Sequence, residues 1–216
     1  MDAQMWEQRW AEGRIGFHQQ TVTPQLEQHW PGLGVPAGAR VFVPLAGKSL
    51  DMVWLVEHGH PVLGVELSQL AIDQFFAERG LQPDVHESAY GVHHVAGHYE
   101  LIRGDVFDLD LAGLGGCTAV FDRASLIALP AEDRPRYARL FDHLAPGTRG
   151  LVVTLDYDQS RMDGPPFSVP EPEVDRLYAP AWQVDRLERS VSEPEPRLAR
   201  AGLTELATTT YALTHH

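Results

Sequence analysis

From Arg40 to Leu155, short apolar runs alternate with stretches of helical period, and few folds accept that rhythm. Residues 40–45, RVFVPL, read as a buried strand. Ser49 then stands as an N-cap before Leu50, Met52, Val53, Trp54, Leu55 and Val56, and Gly59 as a C-terminal cap. Residues 61–65, PVLGV, form a second strand ending at Glu66, after which Ser68 caps a helix to Arg79 with Gly80 beyond its end. Strands that are apolar throughout, joined by helices, specify a parallel sheet covered on both faces. Residues 99–103, 118–121 and 150–155 continue the strand series, with a helix over residues 135–144. Residues 182–187 and 206–213 supply a late pair, expected to be antiparallel. Residues 81–97 are expected to be irregular or to form a hairpin. The chain is therefore expected to be α/β, with a mostly parallel seven-stranded sheet and helices on both faces.

Ahead of the sheet, residues 2–12 suit a short helix with Met5, Trp6 and Trp10 on adjoining faces. Gly13 and Gly16 end it, and Phe17 and His18 follow in a loop. Thr23-Pro24 opens another helix running to about Trp30. No internal repeat or linker interrupts the 216 residues, so a single domain over residues 1–216 is expected, with residues 1–22 as an N-terminal lid segment.

A hydrophobic fraction of 44% is enough for a full core. Acidic residues outnumber basic ones, 30 against 17, for a net charge of -13. Phosphate backbones and anionic membranes are poor partners for such a surface, so neither nucleic acid nor membrane is expected. Cys117 is the one cysteine, which excludes an intrachain disulfide. The opening residues have neither the basic nor the apolar region of a signal peptide, and no apolar run reaches about 18 residues. A monomer in the cytoplasm is expected.

The turn after the first strand, Pro44-Leu-Ala-Gly-Lys-Ser49, lies where ligands bind in an open parallel sheet, and Gly47 lets the backbone approach one closely. Gly-Lys-Ser is not a phosphate loop, because Phe42 stands where that motif needs its first glycine. The dinucleotide glycine fingerprint is absent too. Glu66 ends the second strand 19 residues after Gly47, a place from which a carboxylate can accept hydrogen bonds from both hydroxyls of a ribose, or merely face solvent. Asp105 can hold an adenine amino group or form a turn. Asp122-Arg123 leaves a strand at its carboxyl end, as an active-site pair or a surface ion pair. His86, His93, His94 and His98 have no metal-ligand spacing and read as a polar loop, so no metal is expected. Cys117, expected within a strand, reads as a small buried hydrophobe.

Trp6-Glu-Gln-Arg-Trp10 with Gly13 and Phe17-His18-Gln19, Val43-Pro-Leu45 with Gly47-Lys48, Gly64-Val-Glu66-Leu-Ser68, Asp122-Arg123, and Gly164-Pro-Pro-Phe167 with Val169-Pro170 together resemble the thiopurine S-methyltransferases, including bacterial members linked to tellurite and selenium methylation. The resemblance runs over nearly the whole chain. It implies a Rossmann-like class I methyltransferase fold and S-adenosyl-L-methionine as cofactor. The implied cofactor contacts are Trp6, Trp10, Phe17, Leu45, Gly47, Glu66, Asp105, Val106 and Arg123. The acceptor site is implied at Phe17, Arg123 and Arg197, with residues 164–170 as part of its cover. Arg123 can favour an anionic thiol or grip a carboxylate, and Asp122 is a candidate general base. Ala46 stands where the family usually has cysteine, and Asp105 where some members carry serine. The implied reaction is methyl transfer to the thiol of a small aromatic or heterocyclic acceptor. Methylation of selenium or tellurium species is the alternative, and non-catalytic binding of the cofactor is a third reading.

Overall fold

The computed structural model describes residues 3–216, apart from the side chain of Arg197. The strands are β1 Val41–Val43, β2 Val62–Glu66, β3 Asp84–Ser88, β4 Gly91–Ala96, β5 Tyr99–Arg103, β6 Ala119–Arg123, β7 Arg149–Asp156, β8 Trp182–Ser192 and β9 Leu206–His215. They form one nine-stranded sheet in the order β3-β4-β5-β2-β1-β6-β7-β9-β8. β5, β2, β1, β6 and β7 are mutually parallel, and antiparallel pairs flank them on both sides.

Seven strands were expected, and the two further ones are the β3–β4 hairpin. β3 is exposed at every residue, so it has no apolar alternation to announce it. Gly91 opens β4 at φ +130°, where a Cβ would lie 2.1 Å from the Arg103 carbonyl oxygen. Only glycine permits that approach between hairpin and β5. The late pair is longer than its apolar residues suggested, because β8 is mostly exposed and is held by its ladder to β9.

The parallel strands are buried on both faces, which is why they read as unbroken apolar runs. Phe42, Val65, Ile102, Val120 and Val152 belong to one core cluster, which takes in Tyr137 and Phe141 of α5 (Arg134–Phe141) and Val174 and Tyr178 of α6 (Glu171–Tyr178). Val41, Val43, Leu101, Phe121 and Leu151 belong to the other, with Met52 and Leu55 from α3 (Leu50–Glu57) and Ile72, Phe75 and Phe76 from α4 (Gln69–Ala77). The expected caps are in place: Ser49 Oγ accepts from Asp51 N at 3.1 Å, and Ser68 Oγ from Ala71 N at 3.3 Å. α6 was not anticipated, because Glu-Pro-Glu at its start conceals a helix with few apolar positions. Among the described residues no helix is long and apolar enough to cross a membrane.

Candidate active site

The carboxyl ends of β1, β2 and β6 lie side by side, since β1 pairs in parallel with both of the others. Leu45 after β1 has φ +45° and Ala124 after β6 has φ +71°. Side-chain-bearing residues rarely adopt that conformation, and here two do so on neighbouring turns. Backbone held this way collects at ligand sites.

Glu66, at the end of β2, is buried and bridges two turns. Its Oε2 accepts from Gly47 N at 2.8 Å and its Oε1 from Ser68 N at 2.8 Å. Burial pushes its pKa up, and these backbone N–H groups work against that by favouring the charged form. A carboxylate offers about four acceptor sites, so the oxygens can still take hydroxyl donors.

The N-terminal segment closes over the β1 turn. α1 (Ala3–Ala11) carries Trp10, whose ring would stand 3.3 Å from a Cβ on Gly47. Phe17 meets Trp6 and Trp10 edge-to-face, at 5.5 and 5.6 Å between ring centroids. The Phe17 carbonyl accepts from Arg123 Nη1 at 3.2 Å. The segment is anchored at Thr23, whose N–H and hydroxyl donate to the Asp51 carboxylate at 2.7 and 2.9 Å.

Two cavities meet here. A small one, about 50 Å³, is bounded by Trp10, Phe17, Leu45, Gly47, Asp51 and Arg123. A larger one, about 570 Å³, is bounded by Trp6, Phe17, Arg123, Pro165, Pro166, Ile127, Val153, Leu155, Leu198 and Leu206. Phe17 and Arg123 border both. Burial lowers the Arg123 pKa, while the charges of Asp51 and Glu195 oppose that shift. An arginine remains charged in any case.

Sequence reasoning thus collected Trp6, Trp10, Phe17, Leu45, Gly47, Glu66 and Arg123, and the fold brings them to one sheet edge. Glu66 borders neither cavity, and Asp105 and Val106 stand apart from both as well. Asp105 Oδ1 accepts from Phe107 N at 3.0 Å, capping a short 3₁₀ turn, and Val106 is fully buried in the core. The side chain of Arg197 lies outside the described residues; its backbone belongs to α7 (Pro196–Arg200).

Asp122 requires a correction as general base. It is wholly buried and borders neither cavity. Its Oδ1 accepts from Ser125 N at 3.2 Å and its Oδ2 from the Tyr137 hydroxyl at 2.7 Å, so it braces the turn after β6. Ser125 extends the brace by donating to the Pro44 carbonyl at 2.7 Å. Asp51 was missed, since an acidic residue in a first helical turn normally reads as a favourable charge there. His86 and His93 stack across the β3–β4 hairpin at 4.6 Å, where a loop had been expected. Cys117 precedes β6 and is not part of it; burial pushes its thiol up to about 12, so it is no nucleophile.

The family model described as "Thiopurine S-methyltransferase (TPMT)" matches residues 1–216. A thiopurine S-methyltransferase of Bordetella petrii is 54% identical over 217 residues, covering 99% of this chain and 98% of the relative. One of Xanthomonas campestris pv. campestris is 52% identical over 215 residues, covering 99% of each. Among solved structures, the Burkholderia thailandensis 1,6-didemethyltoxoflavin-N1-methyltransferase with bound S-adenosylhomocysteine shares the fold at TM-score 0.65 and 19% identity, covering 98% of this chain and 87% of that one. The N-methyltransferase NodS of Bradyrhizobium japonicum, in complex with S-adenosylhomocysteine, does so at TM-score 0.63 and 12% identity, covering 95% and 97%. The chain belongs to the thiopurine S-methyltransferase family, and with it to the S-adenosylmethionine-dependent methyltransferases.

Proposed function

We propose that the protein methylates the sulfur of a small aromatic or heterocyclic, thiopurine-like thiol. The observation that carries this reading is the cavity of about 570 Å³, whose lining joins Trp6, Phe17, Pro165, Pro166 and aliphatic side chains to polar residues that include Arg123. Pockets of roughly 300–1,000 Å³ that combine apolar walls with polar groups suit organic ligands of drug-like size. A selenium or tellurium oxyanion would leave most of that space and its apolar walls unused, so the organic thiol is the better match.

The residues present fit the cofactor. A Cβ on Gly47 would press on the Trp10 ring, so glycine keeps open the cradle where backbone and ligand meet. Glu66 offers a buried carboxylate to a ribose diol, and Trp10, Phe17 and Leu45 give apolar cover. When bound, S-adenosylmethionine supplies the methyl group. Arg123 borders both cavities and uses one N–H on the Phe17 carbonyl, leaving donors for an anionic sulfur or a nearby acceptor group. Trp6, Phe17 and the residue 164–167 stretch exclude water, which strengthens that electrostatic hold. Positioning of this kind accounts for the acceleration without a general base, since an acidic heteroaromatic thiol already ionises near neutrality.

Labelled cofactor offered with a heteroaromatic thiol, selenite and tellurite tests the reading. The thiol should give the highest kcat/KM for formation of S-adenosylhomocysteine. Faster turnover of either metalloid would replace the thiol reading with the metalloid one. No turnover with any acceptor would leave cofactor binding without catalysis.

A further inference from the structure

Ser88, His93 and Glu100 line up across β3, β4 and β5, and none of them borders either cavity of the methyl-transfer site. Ser88 ends β3 and is exposed, while His93 is buried. Ser88 Oγ lies 2.6 Å from His93 Nε2, and His93 Nδ1 lies 2.6 Å from Glu100 Oε1. Strand pairing sets this alignment. His93 opposes His86 on β3 and Ile102 on β5, and Ser88 and Glu100 are next but one to those partners. All three side chains therefore leave one face of the sheet. Glu100 also pairs with Arg40 Nη2. Burial raises the Glu100 pKa, but the hydrogen bond to His93 and the Arg40 charge outweigh it and hold the carboxyl below its ordinary value. An ionised carboxylate only accepts, so His93 Nδ1 carries a proton and, in the neutral ring, Nε2 accepts from the Ser88 hydroxyl. Ser88 Oγ itself accepts from Tyr90 N at 3.0 Å, which leaves its proton for His93. His86 stacks on the His93 ring at 4.6 Å and covers one side of it. A hydroxyl bonded to an imidazole whose other nitrogen is held by a carboxylate is the arrangement that activates serine for acyl transfer.

We propose that Ser88, with His93 as its base and Glu100 holding the ring, forms a second catalytic site that hydrolyses small carboxylic esters through an acyl-serine. Ser88 Oγ attacks the ester carbon as its proton passes to His93 Nε2. The tetrahedral intermediate collapses by breaking the bond to the leaving alcohol, which takes the proton from Nε2. Water then attacks the acyl-serine, gives a proton to Nε2, and the acid departs as Ser88 Oγ recovers that proton. The N–H of Ala89, the residue after the nucleophile, makes no hydrogen bond among the described residues and is open to the developing oxyanion. Neither cavity encloses Ser88, so the site suits short, activated acyl groups. Methyl transfer plays no part in this chemistry.

The probe is p-nitrophenyl acetate, offered to the full chain without S-adenosylmethionine. Acid quenching and peptide mapping should find an acetyl group on Ser88, and p-nitrophenol release should continue past one equivalent as water clears it. Ser88→Ala should remove the adduct. His93→Gln keeps the hydroxyl without the base and should slow Ser88 acetylation about 100-fold. Glu100→Gln keeps an acceptor for the Nδ1 proton and loses the charge, so kcat should fall with KM little changed. Native affinity for S-adenosylhomocysteine in Ser88→Ala and His93→Gln would show that both variants fold. Acetylation confined to lysines, a Ser88 adduct that forms as fast in His93→Gln, or one that water never clears would overturn the proposal. The network would then be a tie between the hairpin and β5.

Discussion

Glu66 holds two backbone N–H groups with a buried carboxylate, and that burial makes its affinity for ligand depend on pH. Its pKa is raised above the ordinary 4.5, so in the free protein the proton is retained to higher pH. A protonated carboxyl is the weaker acceptor for ribose hydroxyls. Affinity for S-adenosylhomocysteine should therefore be full well above the raised pKa and fall as pH drops through it, with the inflection above 4.5. Glu66→Gln should abolish the inflection and weaken binding near neutral pH about 10- to 150-fold, the span of one or two hydrogen bonds to a charged group. Calorimetry across pH that gives parallel curves for the two proteins would remove Glu66 from the cofactor site. Arg123 makes a different prediction. With one N–H on the Phe17 carbonyl, it needs its planar fork to reach an acceptor as well. Arg123→Lys and Arg123→Ala should both lower kcat/KM for the thiol by about 10- to 100-fold, while the S-adenosylhomocysteine dissociation constant moves much less. A lysine variant with near-native kcat/KM would show that charge alone suffices.

Elements differ in how firmly they are tied to the sheet, and the N-terminal segment is tied at its end. Thr23 is clamped by Asp51 with two hydrogen bonds, and Asp51 in turn accepts from Ser49 Oγ at 2.9 Å. Ahead of that clamp, α1 rests on the site through Trp10, Phe17 and the Arg123 contact. Gly13 and Gly16 lie in the link between α1 and the clamp, and Phe17 in that link is its contact with the site. Amide exchange over residues 3–18 should slow by about tenfold or more when S-adenosylhomocysteine is added, as for a cover that closes on its ligand. High protection without ligand, or protection that does not change, would make the segment a fixed wall. The legible elements were those with a physical signature in one window of sequence. β1 and β2 showed as apolar runs because helices bury both their faces, and α3 and α4 showed through Ser49 and Ser68. β3 and β4 were left between irregular chain and a hairpin because β3 is exposed along its length, and α6 was hidden because prolines and glutamates dominate its first turn.

At the scale of the whole molecule, what sequence alone left open depends on which side of the sheet a residue meets and what it meets there. Asp122 and Arg123 were legible as a charged pair leaving a strand, and pleating puts them on opposite faces. That Asp122 is the inward member follows from Tyr137, 15 residues later, which caps it from α5. No local pattern contains that contact. The same long-range logic joins the sheet interior to the turn after β1 through Gly64 in β2. A Cβ there would lie 2.4 Å from Leu101 Cδ2 and 2.9 Å from Ala46 Cβ. The Leu101 methyl can swing away, but Ala46 Cβ is fixed to the backbone of the turn that carries Leu45 and Gly47. Gly64→Ala should therefore displace that turn as well as strain the core. The overpacking should cost about 1–3 kcal/mol, lowering Tm by roughly 2–4 °C per kcal/mol at this chain length. At temperatures where the variant stays folded, its affinity for S-adenosylhomocysteine should fall while thiol binding to the preformed complex changes less. Adding Ala46→Gly removes the second clash and leaves the first, so the double variant should regain cofactor affinity more fully than it regains Tm. Native cofactor affinity in Gly64→Ala, alongside the lowered Tm, would show that β2 packing and the turn are independent, and that Gly64 answers to the core alone.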